Sequence, residues 1–181
     1  MPVARRRRHG GFTLIEILTV VAIMAIAAGI AVPAMRASDV YALDRAATEL
    51  AQMLRYARSE ARRTGITHGV FAGTDIATLY QWVSSPDHDA VRHPITGAPG
   101  DGWTLTFGDS ARPASLSSVS VSFDRTVYWY SKYVNFTGGS GWPGSYHDTD
   151  RSPLKSAVYT LTYNGDTRTV SVLPDGSVRI E

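Results

Sequence analysis

The stretch GFTLIEILTVVAIMAIAAGIAVPAM, residues 11–35, decides how this chain is organised. Between residues 12 and 35 the only ionisable side chain is Glu16. The segment is long enough to span a membrane, because a bilayer core of about 30 Å needs about 20 helical residues. Four arginines, residues 5–8, precede it and favour a cytoplasmic start by the positive-inside rule. The sequence therefore predicts one transmembrane helix, residues 12–35, with the rest of the chain outside the cytoplasm.

Two other interpretations fit the same stretch less well. A secretory signal peptide has a shorter apolar region, about 7 to 15 residues, and carries no carboxylate within it. A plain membrane anchor leaves Glu16 in hydrocarbon, where an isolated charge costs about 3 kcal/mol. Cleavage between Gly11 and Phe12 would supply a partner, because the new α-ammonium of a neighbouring subunit could neutralise that carboxylate. An uncleaved anchor with a chance glutamate remains the alternative.

Gly11 followed by FTLIE, then an apolar helix with Pro33, resembles the class III signal of type IV pilins and type II secretion pseudopilins. The resemblance implies that a prepilin peptidase removes residues 1–11 after Gly11 and N-methylates Phe12. It also implies that Glu16 guides docking to other pilin or pseudopilin subunits through the N-terminal helix. Pro33 falls where helices of this superfamily commonly kink or melt, which suits the missing amide donor of proline. No cofactor is implied.

Residues 36–65 are predicted to continue as an amphipathic helix into the soluble domain. Apolar side chains recur there at spacings of three and four, which is typical of one buried helix face, and they are Leu43, Ala46, Ala47, Leu50, Met53, Leu54, Ala57 and Ala61. Gly65 suits the left-handed position after the helix. The segment LRYARSEARRTG, residues 54–65, resembles the end of this helix in the GspH/FimT family of minor pseudopilins and pilin-like proteins.

The basic residues at the end of this helix have two interpretations. Arg55, Arg58, Arg62 and Arg63 complement the negative end of the helix dipole, which is a structural role. The same residues could form a basic ridge for a phosphate backbone or an acidic partner subunit. Two further candidates for such contacts, Arg168 and Arg179, lie on the last two predicted strands.

Residues 66–181 are predicted to form a periplasmic β-rich domain. Alternating apolar residues predict strands at 66–72, 76–83, 103–107, 119–123, 126–134, 156–163, 167–173 and 177–180. Asn164-Gly165 predicts a hairpin, and Pro174-Asp175-Gly176 predicts a second turn. The fold class is therefore α+β with an antiparallel sheet, and the family resemblance suggests a β-sandwich or two-sheet domain packed on the second half of the helix.

Two long loops are predicted, at residues 84–101 and 135–155, and loops of that length are usually functional or mobile. In the second loop, Trp142 and Tyr146 stand among glycines. They could form a contact surface for another protein. We slightly favour the other interpretation, in which the two aromatic rings hold the loop on its own domain.

Composition argues against several classes of function. The chain has no cysteine, so thiol chemistry and cysteine metal sites are excluded. Its net charge of +2 comes from the leader, since removing residues 1–11 leaves 14 basic and 16 acidic side chains. No phosphate loop or G-x-S-x-G motif occurs, so we predict a non-enzyme. No metal site is predicted, because the histidine and aspartate clusters match no zinc or EF-hand pattern, although calcium in the second loop stays open; these residues are Asp87, His88, Asp89, His147, Asp148 and Asp150.

Three functions remain. The first is a GspH-like minor pseudopilin of a type II secretion system, held in the bacterial inner membrane by one helix and then assembled into a periplasmic pseudopilus for protein export. The second is a FimT-like minor type IV pilin that binds DNA for uptake, the only hypothesis with nucleic acid as a partner. The third is a structural type IV pilin subunit. The sequence does not separate secretion from pilus systems, or a tip from a shaft position.

Overall fold

The computed structural model describes residues 13–84, 87–91, 102–124, 132–145 and 152–181, with the backbone alone at residues 30–38, 83–84, 87–88 and 90. Within these residues the element order is one helix followed by ten strands. The chain divides into two compact units, Met1–Ser38 and Asp39–Glu181. The predicted α+β class is confirmed, with an N-terminal helix and antiparallel sheets.

Helix α1, Leu14–Thr64, begins and ends within two residues of the predicted bounds and is continuous at residue 33 in the single chain. Gly65 follows it with φ +74°, as predicted, and donates its N–H to the carbonyl oxygen of Ala61 at 3.2 Å. Among the described residues, no helical stretch is both long and apolar enough to qualify as a membrane span.

In the unit Asp39–Glu181, the predicted apolar face of α1 is confirmed. All eight of its members are at most 1% exposed: Leu43, Ala46, Ala47, Leu50, Met53, Leu54, Ala57 and Ala61. Four of them are alanines, so the helix backbone can come close to the strands that cover it. These side chains belong to one core cluster that also contains residues of both sheets, which confirms packing of the helix on the sheets.

The first sheet contains the strands β1 (His68–Gly73), β2 (Ile76–Ser84), β3 (Asp87–Ala90), β4 (Thr104–Thr106), β6 (Tyr133–Phe136) and β7 (Pro143–Gly144). Their order is β3-β2-β1-β6-β7. Strand β4 pairs with the first half of β2, on the same edge where β3 pairs with the second half. Leu79, Val70 and Val134 are in register across β2, β1 and β6, and all three are fully buried. The row therefore forms part of the core.

The second sheet has the order β10-β9-β8-β5. Its strands are β5 (Ser115–Phe123), β8 (Leu154–Tyr163), β9 (Asp166–Val172) and β10 (Val178–Ile180). The predicted hairpin between β8 and β9 is confirmed, with φ of 49° at Asn164 and 90° at Gly165. The predicted turn before β10 is also present, with φ of 77° at Gly176.

The two long loops were predicted to lack regular structure, and this is wrong for part of each. Strand β3 lies within residues 84–101, and it pairs with β2. Within residues 135–155, β6 extends to Phe136, β7 pairs with it, and β8 begins at Leu154. Both added strands are short and polar or glycine-rich, so alternation of apolar residues could not reveal them. Residues 126–131 of one predicted strand lie outside the described residues.

One side chain ties the sheets to each other. Asp75, in the turn between β1 and β2, has φ +53°, and its Oδ1 accepts the N–H of Leu116 on β5 at 2.9 Å. Its backbone oxygen accepts the N–H of Phe107 at 2.8 Å. Aspartate tolerates the left-handed conformation, and Asp75 accepts the N–H groups of two other residues there, which explains why this turn position is not a glycine.

Candidate assembly and docking sites

The start of α1 is capped by a reciprocal pair of side chains. Glu16 Oε2 accepts the backbone N–H and the hydroxyl of Thr13, each at 2.9 Å, while Thr13 Oγ1 accepts the N–H of Glu16 at 3.3 Å. This is a capping box, in which residues three apart satisfy amides that the helix itself leaves unpaired. Glu16 is exposed in the single chain. The predicted processing residues Gly11 and Phe12 lie outside the described residues, as does the side chain of Pro33.

The six candidate arginines have different environments. Arg55 donates to the carbonyl oxygen of Val178 at 3.0 Å, and Arg58 donates to those of Gly176 and Asp175 at 2.9 and 2.6 Å. Two others form ion pairs, Arg63 with Glu60 at 2.6 Å and Arg168 with Asp44 at 2.8 Å. Within the described part of the chain, only Arg62 and Arg179 have no hydrogen-bond or ion-pair partner.

Four of these arginines share one groove at the end of α1. The arginine groove, as we call it, has a volume of about 680 Å³ and is lined by Arg55, Arg58, Ser59, Arg62, Arg63, Gly176, Ser177 and Val178. Gly176 permits the close approach, because a Cβ there would lie 2.9 Å from Nε and 3.0 Å from Cζ of Arg58. The prediction placed Arg168 and Arg179 with this cluster as candidates, but neither lines the groove.

A glycine-rich loop, residues 137–142, is docked on the same helix end. Gly139 donates its N–H to the carbonyl oxygen of Ala61 at 2.8 Å, and Gly138 donates to Thr67 Oγ1 at 3.2 Å. A Cβ at Gly138 would overlap the carbonyl oxygen of Gly65. The loop closes on itself through Thr137, whose N–H donates to the oxygen of Trp142 at 2.9 Å. It therefore gives the carbonyl oxygen of Ala61, which already accepts from Gly65, a second donor from outside the helix.

Trp142 at the end of this loop is 60% exposed. The slight preference for aromatic rings that hold the loop is therefore wrong for Trp142. Backbone hydrogen bonds and glycine contacts hold the loop instead, so the indole is left at the surface. Tyr146, the other member of the predicted pair, lies outside the described residues.

A second charged cluster joins α1 to the loop before β5. Glu49 accepts from Arg45 at 2.9 Å, the pair that lies four residues apart in the sequence, and from Arg112. Burial raises the pKa of Glu49, but the hydrogen bonds and charges of Arg112 and Arg45 lower it more, so the net pKa lies below the ordinary glutamate value. The carboxylate is therefore ionised at neutral pH and serves as a structural tie.

No group of three histidine, aspartate or glutamate side chains that could hold a metal occurs within the described ranges. The side chains of Asp87 and His88 are not described, and His147, Asp148 and Asp150 lie outside those ranges. Calcium binding in the second loop is therefore not tested by the structure.

Comparison with known proteins now identifies the family. A model of the prokaryotic N-terminal methylation motif matches residues 6–32, and a model of the type II transport protein GspH matches residues 46–176, more than half of the chain. The chain belongs to the GspH family. Comparison with curated protein sequences gives no match.

Solved structures resemble this GspH-family chain in fold. The minor pseudopilin EpsH from the type 2 secretion system of Vibrio cholerae is 12% identical, with a TM-score of 0.50, over 77% of this chain and 95% of that one. The type IV minor pilin FimU of Pseudomonas aeruginosa is 18% identical, with a TM-score of 0.45, over 77% of this chain and 87% of that one. The two family models confirm the prepilin-type N-terminus and the GspH assignment that the sequence suggested.

Two features of this GspH-family chain were missed by the sequence interpretation. The capping box could have been found, because Thr13 followed three residues later by Glu16 is its standard pattern. The docking of residues 137–142 on the helix end could not, because it depends on backbone contacts between segments about 75 residues apart. The three glycines were the only signal, and glycines also mark loops that contact nothing.

Proposed function

We propose that this chain is a GspH-like minor pseudopilin of a type II secretion system, which assembles into the periplasmic pseudopilus and supports protein export. The observation that carries the proposal is the presence in one chain of a prepilin methylation motif, residues 6–32, and a GspH domain, residues 46–176. The domain boundaries proposed are those of the sequence: leader 1–11, membrane and assembly helix 12–35, amphipathic helix 36–65, and periplasmic domain 66–181.

In this proposal the chain first sits in the inner membrane through one helix, with its C-terminal domain in the periplasm. A prepilin peptidase cleaves after Gly11 and methylates Phe12. The apolar side chains of residues 14–29 then pack against those of other subunits, which removes them from lipid. Their exposure in the single chain supports a role in packing. Pro33 would allow the helix to adjust during assembly.

Glu16 is suited to bind the α-ammonium of a neighbouring subunit without losing its cap. A carboxylate has about four lone-pair sites. Both bonds from Thr13 go to Oε2, so Oε1 has no protein donor among the described residues. An incoming ammonium can therefore bind Oε1 while the helix start stays closed.

The proposed activity is assembly and export, and not catalysis. Members of the pilin and pseudopilin superfamily are structural proteins. The described residues of this chain provide arginine clusters, a capped helix and packed sheets, and each of these has a structural explanation or a docking role.

Processing is tested first, by mass spectrometry of the protein isolated from its native host. We expect a mature chain that starts at a methylated Phe12. A chain that keeps residues 1–11 would reject the proposal. A Gly11→Leu variant, which places a bulky side chain at the cleavage site, should accumulate uncleaved in the inner membrane.

Secretion is tested by deleting the gene and comparing the proteins exported to the medium with the proteins retained in the periplasm. We expect retention of secreted proteins and its reversal by the intact gene, but not by the Gly11→Leu variant. Normal export combined with loss of pili would favour a minor pilin. A high copy number in isolated filaments would favour the third hypothesis, a structural pilin subunit.

The DNA-binding alternative has one observation in its favour, the arginine groove. Arg63 is paired with Glu60, and Arg55 and Arg58 donate to backbone carbonyl oxygens, so among the described groove arginines Arg62 alone has no partner to give up before it binds a phosphate. A gel-shift assay with the full chain in detergent micelles decides the matter. Binding that falls steeply as salt rises would favour DNA uptake, and no binding at low salt would reject it.

A further inference from the structure

We propose that the arginine groove and Trp142 form one docking surface for a protein segment that carries carboxylates beside an apolar side chain. The contacts that form this surface all lie among residues 55–66, 137–142 and 175–178. The surface is therefore the same whether the chain works in a secretion system or in a pilus. The surface has a cationic part and an apolar part, which meet where Gly141, the residue before Trp142, packs on the stem of Arg62.

The cationic part centres on Arg62. Its guanidinium has five N–H donors and no partner within the described residues. Its stem is held in place, because a Cβ at Gly141 would lie 2.5 Å from Cγ and 2.7 Å from Cδ of Arg62. A fixed stem with a free guanidinium reduces the conformational entropy lost when a carboxylate binds.

The neighbouring arginines are arranged around Arg62 by the end of the sheet. Arg58 is anchored to two carbonyl oxygens of the turn before β10, and Arg55 to the carbonyl oxygen of Val178. These groups line the groove and add positive potential. Because both side chains are already tied to carbonyl oxygens of the sheet end, whereas Arg62 has no partner among the described residues, the anion itself is expected to bind at Arg62.

The apolar part is the indole of Trp142, which is 60% exposed. Its loop is held on the helix end by the bond from Gly139 to Ala61 and by the close contacts of Gly138 with Gly65 and of Gly141 with Arg62. Ile66, which adjoins the loop through Gly138, is 44% exposed. An exposed tryptophan that follows the glycine packed on Arg62 has the composition of an interface hot spot, since Trp and Arg are among the residues most enriched there.

The charge pattern favours a protein segment over a nucleic acid. Binding to a phosphate backbone uses several cations in a row, typically six to ten phosphate contacts in a protein that binds strongly. Among the described residues, this surface has three arginines without a carboxylate partner, Arg55, Arg58 and Arg62, and Glu60 lies on the same helix end paired to Arg63. One or two carboxylates with an apolar neighbour match this pattern better than a polyanion does.

The test measures binding to the full chain in detergent micelles by fluorescence anisotropy. The probe is a labelled, capped peptide of sequence EELEEL. The comparison probes are the leucine-free peptide EESEES, an oligothymidylate of equal charge, and inorganic phosphate as a competitor. We expect EELEEL to bind more tightly than EESEES, and neither the oligothymidylate nor millimolar phosphate to displace it.

Variants place the probe on the surface. Arg62→Glu should weaken EELEEL binding about tenfold or more, and Trp142→Ala should weaken it severalfold. Arg179→Glu is the matched control, because Arg179 is also exposed and without a partner among the described residues but does not line the groove. It should leave binding nearly unchanged. Since Arg62 and Trp142 are both exposed, their replacement should leave the thermal unfolding curve in place.

Four outcomes would overturn the proposal. They are absence of peptide binding at millimolar concentration, equal binding of EELEEL and EESEES, equal loss with Arg62→Glu and Arg179→Glu, and tighter binding of the oligothymidylate than of either peptide. The last result would reassign the surface to nucleic acid.

Discussion

Thr13 and Glu16 cap the start of α1 together, through two bonds to Glu16 Oε2 and one return bond to Thr13 Oγ1. The same carboxylate that is proposed to bind a neighbouring subunit thus also completes its own helix. Charge and hydrogen-bond acceptance are separate properties of this group, and variants can separate them.

Glu16→Gln should abolish filament assembly while leaving processing intact. A glutamine oxygen can still accept from Thr13, but it has no charge to pair with an α-ammonium in a low-dielectric assembly. N-terminal mass spectrometry should still find a methylated Phe12, while the protein should be missing from sheared or cross-linked filaments. The control is Thr13→Ala, which removes a cap side chain worth about 1 kcal/mol but keeps the charge. If Thr13→Ala blocks assembly and Glu16→Gln does not, Glu16 acts only as a cap.

Stability of the soluble unit should fall at acid pH partly through Glu49. Its pKa is lower in the folded protein than in the unfolded chain, so its contribution is fully present above the ordinary glutamate pKa and is lost as pH falls through the lowered value. Urea unfolding of the wild type and of Glu49→Gln, measured from pH 7 to pH 3, should show a flatter dependence in the variant. Parallel curves would mean that the pairs of Glu49 with Arg112 and Arg45 make no measurable contribution to the pH dependence of the free energy of unfolding.

Periodic parts of the fold could be predicted from the sequence. The buried face of α1 from Leu43 to Ala61, the cap at Gly65 and the hairpin at Asn164 each follow from local spacing or local backbone preference. Such signals are contained within a few residues. Their physical cause, burial of one face or a positive φ, does not depend on the rest of the chain.

Contacts between distant segments could not be predicted. The cluster of arginines was recognised, but no local pattern indicates that Arg58 donates to the turn at Asp175 and Gly176, or that Arg168 pairs with Asp44. Arg62 differs from the neighbouring arginines because no described group forms a hydrogen bond or ion pair with it. A candidate site inferred from composition alone therefore counted Arg63 and Arg168 as free cations, although each is paired with a carboxylate.

Loss of the hydroxyl group should stabilise the protein at Tyr159 and destabilise it at Tyr80. Tyr159 is fully buried and its hydroxyl has no hydrogen-bond partner within the described residues, whereas the hydroxyl of Tyr80 donates to the buried Asn135. Tyr159→Phe should raise the free energy of unfolding by about 1 kcal/mol, because an unpaired buried polar group is removed. Tyr80→Phe should lower it by about 1 to 2 kcal/mol, because the Oδ1 of Asn135 loses a donor. Urea unfolding checks both, and a destabilised Tyr159→Phe would mean that its hydroxyl has a partner.

Gly138→Ala should detach the loop of residues 137–142 from the end of α1. A Cβ at this position would overlap the backbone oxygen of Gly65, and a backbone atom cannot turn aside as a side chain can. The loop would have to move, so the hydrogen bond from Gly139 to Ala61 would break and Trp142 would leave its present position. We expect the free energy of unfolding to fall by about 2 kcal/mol or more.

The control for this variant is Gly165→Ala. Gly165 has φ +90° but open space around a Cβ, so alanine there carries backbone strain alone, about 1 kcal/mol. Gly138→Ala should therefore be the more destabilising of the two in urea unfolding. It should also weaken EELEEL binding as Trp142→Ala does, while Gly165→Ala should not. A Gly138→Ala protein that keeps both its stability and its peptide binding would show that the loop does not need this contact, and that Trp142 is not positioned by the helix end.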